Sequence, residues 1–129
     1  MSSGSLTARM PPTFDDGVAL FNDGQFFEAH EAFEELLDDV EEDERWDLLV
    51  ALIQVAVGYH KLASGHAGSA RMLELGLTKL GAFAGRAWGV DVEALRRRVA
   101  SDVAAMSASG EAASRLLANP PRIELATRA

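Results

Sequence analysis

The stretch LLVALIQVAV, residues 48–57, carries one polar side chain, Gln54, among nine apolar ones. A run this uniform has no broad polar face to offer water. A helix built from it must be covered on several sides. Its flanks extend the helical pattern to residues 44–63, about the length needed to span a bilayer. Asp47, Gln54, His60 and Lys61 interrupt that length, so the segment predicts the buried central helix of a water-soluble bundle. Asp47, Gln54 and Lys61 recur every seven residues and form one narrow polar stripe. Leu52 and Val55 are expected in the core.

Upstream lies FNDGQFFEAHEAFEELL, residues 21–37. Asp23-Gly24 is a turn signal, because glycine accepts the left-handed conformation that ends a helix. Before it, Phe14, Gly17, Val18 and Phe21 recur at i, i+3, i+4 and i+7, predicting a first helix to about Asn22. Thr13 stands in the N-cap position with Asp16 three residues on. After the turn, Phe26, Ala29, Phe33, Leu36, Leu37 and Val40 share one face of a second helix over about 25–41. Glu28, Glu31, Glu35, Asp38 and Asp39 take the opposite face. The acidic run 41–44 leads into the central helix, where Asp43 and Glu44 suit the positive end of the dipole.

Downstream, a fourth helix is expected over about 68–84, burying Leu73, Gly76, Leu77, Leu80 and Phe83. Residues 85–89 read as a loop. Asp91 caps a fifth helix whose buried stripe is Val92, Leu95, Val99, Val103 and Met106. No strand-like alternation is present. The prediction is an all-α fold, a compact five-helix bundle of helical hairpins with a buried central helix, over residues 13–110. Residues 1–12 are expected to be a disordered N-terminal tail, and residues 111–129 an extended tail on the surface. A Gly-x-x-x-x-Ala spacing occurs at Gly24–Ala29 and again at Gly65–Ala70. It reads as a local packing rule, glycine for the turn and alanine for close helix approach.

The 129 residues suit one domain with a real core, and 48% of them are hydrophobic. No cysteine is present, which excludes disulfides, zinc–thiolate sites and thiol nucleophiles. Without a signal-peptide core or membrane span, the expected location is the cytoplasm. Net charge is −8, with 14 acidic and 2 basic residues in 1–60 against 6 and 10 in 61–129. An acidic first half repels phosphate, so no nucleic acid is expected as partner. Abundant acid and alanine with only two lysines resemble the compositions of halophilic archaeal proteins, in which acidity serves solubility. The basic run at residues 96–98 spreads around its helix and reads as a solvated face. The apolar breadth of the central helix favours a homodimer over a monomer.

FNDGQFFEAHEAFEELL, LIQVAVGYHKLASG and ARMLELGLTKL together resemble domain of unknown function 309, a family of small all-helical bacterial and archaeal proteins. The resemblance covers about residues 14–84. It implies no established activity. The family's hallmark is a histidine, a glutamate four residues later and an aromatic three residues beyond that, for which metal binding has been suggested. Those positions are His30, Glu34 and Leu37 here, so the aromatic is replaced.

His30 and Glu34 meet on one helix face. They lie about 70° and about 110° from the centre of the apolar face, at its boundary. An imidazole and a carboxylate so placed can share zinc, manganese or iron. HEAFE is not the zinc-protease HExxH, and two ligands do not complete a site. Further groups are sought among Phe21, Phe27, Glu28, Glu31, Gln54 and His60 as a pocket around the pair, with Gln54 expected to face His30. The plainer alternatives stand beside this one. The pair can be a simple boundary ion pair, Gln54 a stripe residue, His60 a satisfied core histidine, and the whole a helical interaction or structural module without catalysis. A small-molecule or protein ligand is not specified by the sequence.

Overall fold

The computed structural model of the chain describes residues 10–11, 13–40, 43–83, 85–108, 116 and 118–125. Five α-helices are defined among the described residues: α1 (Phe14–Asn22), α2 (Phe26–Glu35), α3 (Glu44–Ala63), α4 (Ser69–Leu80) and α5 (Val92–Ala108). The architecture is all-α, as the hydrophobic periodicity requires. The expected disordered tail at 1–12 falls outside the described residues except for Met10 and Pro11, and Met10 is buried in the core.

Helix α3 is the hub. It packs most extensively on α4 and next on α2. Leu48, Leu49, Ala51, Leu52, Val55, Ala56 and Tyr59 are fully buried along it. Asp43 caps it by accepting the Arg45 backbone N–H at 2.7 Å. Two glycines let α3 and α4 approach closely. A Cβ at Gly58 would stand 2.6 Å from Leu73 Cδ2, and one at Gly76 would stand 2.7 Å from Val55 Cγ2. The α1–α2 turn is made by Gly24 at φ +83°. No helix among the described residues is long and apolar enough to cross a membrane.

Four local features differ from the sequence-based expectation. Thr13 does not cap α1 through its side chain. Its backbone is already helical at φ −72°, ψ −7°, and the first turn is closed instead by Phe14 N–H donating to the Pro11 carbonyl at 2.9 Å. Helix α2 ends at Glu35, six residues early, and tightens into a 3-10 turn at Leu37–Asp39. Carboxylates at 34, 35, 38 and 39 oppose the negative C-terminal end of the dipole, and the tighter turn still buries Leu36 and Val40.

The third difference is a small sheet where none was expected. Strands β1 (Arg86–Ala87) and β2 (Val90–Asp91) pair antiparallel, Arg86 with Asp91 and Ala87 with Val90. Trp88 at φ +47° and Gly89 at φ +86° join them, and positive φ at both central residues is the type I′ geometry of two-residue hairpins. Strands of two residues are too short for alternation to register in sequence. The fourth is the chain's end. Ile123 is buried rather than on the surface, and the Asn22 side chain clamps its backbone in both directions, at 3.1 and 2.7 Å. Val90 and Leu125 form a β-bridge, and Asp91 N–H donates to the Glu124 carbonyl at 2.9 Å.

Candidate functional site

The register of α2 follows from Phe26, Ala29 and Phe33, all buried. With these inward, Phe27, His30 and Glu34 fall together along the edge beside α3, since positions i, i+3 and i+7 share a helix face. His30 Nδ1 lies 2.8 Å from the Phe27 carbonyl oxygen, a contact that requires Nδ1 to carry the proton and donate. In a neutral ring the lone pair is then on Nε2. That atom faces Glu34 Oε1 at 3.5 Å, with the imidazole mostly buried (16% exposed) and the carboxylate half in water (54%). Phe27 is an exposed aromatic, 43% accessible, and its ring lies between two histidines. Centroid distances are 5.0 Å to His30 and 5.3 Å to His60.

The expected pocket residues separate into four places. Phe27, His30, Glu34 and His60 gather at the α2–α3 edge. Phe21 is wholly buried among Phe26 and Tyr59, with ring centroids 5.1 and 6.1 Å away, and is a core residue. Glu28 and Glu31 line an open groove of about 520 Å³ between α1 and α2, together with Asp16, Glu35 and Asp39 around Leu20 and Leu36. Gln54 lies on the α4 side of α3. At 100° per residue it is about 40° from Gly58 and about 60° from Ala51, which both meet α4, but about 120° from His60, which meets α2. Its Oε1 is buried and accepts no hydrogen bond. No group of three or more His, Asp or Glu side chains arranged to hold a metal occurs among the described residues. His30 and Glu34 thus offer two donors, and the Phe27 ring stands between them and His60.

This His–Glu edge, with the hairpin of α1 and α2 behind it, lies within a stretch that matches a known sequence family. Residues 14–73 match the family described as Domain of unknown function (DUF309). No curated protein matches the chain. The DUF309 match takes in α1, α2, α3 and the start of α4, just under half the chain, and ends short of the residue 84 expected from sequence.

A buried polar network joins the DUF309 stretch to the rest of the fold, and sequence reading missed it. Tyr59 on α3 donates to Asp102 Oδ2 on α5 at 2.6 Å. Arg98 Nε donates to the same oxygen at 2.8 Å, and the Arg98 guanidinium also donates to the Asn119 carbonyl. Burial, and then the bond to Asp102, push the Tyr59 phenol far above its ordinary range. A usable signal existed: Asp102 stands three residues after Val99 and seven after Leu95, on the apolar stripe of α5. A carboxylate there demands buried partners. The other arginines of the 96–98 run pair with Glu93, at 2.9 Å from Arg96 and 3.5 Å from Arg97, so the run offers no free basic patch.

Proposed function

We propose that the protein is a small helical module that captures a divalent cation, zinc, manganese or iron, at the His30–Glu34 pair. One observation carries this reading. The Phe27 carbonyl fixes the histidine tautomer, so the Nε2 lone pair and the carboxylate converge at 3.5 Å. Two donors about 2.1 Å from one tetrahedral ion stand about 3.4 Å apart, so the pair needs little adjustment. A backbone carbonyl behind the ligating imidazole is the usual way such a ring is oriented. Water or a ligand's own oxygens would supply the remaining positions, and an ion held this way would act as a Lewis acid toward that ligand.

Calorimetric titration with zinc and manganese tests it. With two protein ligands the expected affinity is weak, and His30→Ala and Glu34→Gln should each abolish the heat. A wild-type titration indistinguishable from His30→Ala sinks the reading. What remains then is an interaction module without catalysis, favoured by the exposed ring of Phe27 beside the half-exposed side of α3.

The acidity reads as adaptation to high salt. Five carboxylates share the α1–α2 groove, and counterions relieve their mutual repulsion. The expected result is a melting temperature that rises from low to molar sodium chloride. Glu31→Gln combined with Glu35→Gln should flatten that rise. A wild-type curve that is flat or falling removes the salt reading.

A further inference from the structure

The long central helix is not covered all round. Trp46, Val50, Ile53, Val57 and His60 are each only half-buried. Their spacing is 4, 3, 4, 3, the alternation of a two-helix seam, with β-branched Val50, Ile53 and Val57 at its centre. At 100° per residue all five fall within about 80° of arc, on the side of α3 away from its buried face. Phe27 of α2, exposed and packed on His60, widens this stripe along one flank. The feature is a partly open apolar strip on the longest helix, with Trp46 and Ile53 resting in part on the core.

The polar residues beside the strip point to its occupant. Asp47, Gln54 and Lys61 run along its other flank at intervals of seven. Asp47 and Lys61 are equidistant from Gln54, with opposite charge. A two-fold axis at Gln54 that sets α3 antiparallel to the α3 of another molecule brings each Asp47 opposite a Lys61. It makes both ion pairs at once. A parallel two-fold carries this flank to opposite sides of the seam in the two molecules, where Asp47 and Lys61 do not meet. The rest of the electrostatics agrees. The five carboxylates of the α1–α2 groove lie on the side of α2 away from this strip, so they need not meet.

We infer that a second copy of this chain covers the strip, giving an isologous antiparallel dimer centred on Gln54. This interface is independent of any metal at His30. Sedimentation velocity over a micromolar concentration series tests it, with circular dichroism reporting that each variant is folded. The wild type is expected to sediment as a dimer and Ile53→Glu as a folded monomer. Asp47→Lys, at an exposed position, and Lys61→Asp, at a half-buried one, should each weaken association about tenfold or more, because each sets like charges opposite one another twice. The double variant, Asp47→Lys with Lys61→Asp, should recover wild-type association. A wild type that stays monomeric throughout overturns the inference. So does a dimer in which the two reversals do not rescue each other.

Discussion

Gly76→Val is expected to lower the stability of the fold by about 3 kcal/mol, seen as a fall of about 10 °C in melting temperature. Two opposed effects set the size. Removing a glycine from a helix interior gains up to about 1 kcal/mol in backbone entropy, less for a β-branched residue. Against this, a Cβ at Gly76 would lie 2.7 Å from Val55 Cγ2 and 3.2 Å from both Ala51 O and Val55 N. The last two are backbone atoms of the central helix and have no rotamer to change. The helices must separate, and α3–α4 is the largest contact in the fold. Gly76→Ala should fall between wild type and valine. Gly24→Ala is the control: its Cβ meets nothing within 4 Å, so it costs only the left-handed φ of +83°, about 1 kcal/mol. Equal losses at Gly24 and Gly76 would mean that close α3–α4 packing is not the reason for glycine at 76.

The contrast between these glycines shows what sequence can and cannot carry. Gly24 and Gly65 were legible as turn glycines because a positive φ is a local demand, met within a few residues. The span of α3 was legible, since Asp43 and Glu44 suit its start and the turn glycine Gly65 follows its end. Gly58 was not legible. Its reason is Leu73 on another helix, and a requirement between distant segments leaves no local pattern. The hairpin at Trp88-Gly89 escaped for a related cause. Tryptophan is a poor advertisement for a left-handed turn, and its two-residue strands are anchored by Leu125 and Glu124, far along the chain.

The candidate site divides in the same way. The i, i+4 spacing of His30 and Glu34 fixes their meeting on one helix, and the pair is found at 3.5 Å. Placing Gln54 beside it needed the rotation of α3 about its own axis. An almost uniformly apolar helix gives its sequence no means of declaring that rotation. Glycine, through Gly58 and Gly76, sets it by bringing α4 against the face that Gln54 borders. Glu28 and Glu31 went to the far side of α2 because Ala32 and Leu36 turn toward α1 there.

The Tyr59–Asp102–Arg98 network yields the other large effect. Asp102→Ala is expected to cost about 3 kcal/mol. It strands a buried phenol without its acceptor and leaves Arg98 without the carboxylate beside it. Asp102→Asn keeps an acceptor for Tyr59 and should cost less. The phenol also makes the fold sensitive to alkali, and the sign is fixed by which form the protein favours. Burial and the bond to Asp102 favour neutral Tyr59, so its pKa in the folded state lies above the unfolded value of about 10. Its contribution is complete below about pH 10 and declines as pH rises beyond that, because there only the unfolded chain releases the proton. Tyr59 is the sole tyrosine of the chain, so phenolate absorbance reads it alone. The expected record is no phenolate signal until the helical circular dichroism is lost, with both transitions at the same pH. In Tyr59→Phe the fall in stability above about pH 10 should be shallower than in wild type. A tyrosine that ionises near pH 10 while the helices remain intact would show that Asp102 and the core do not hold it.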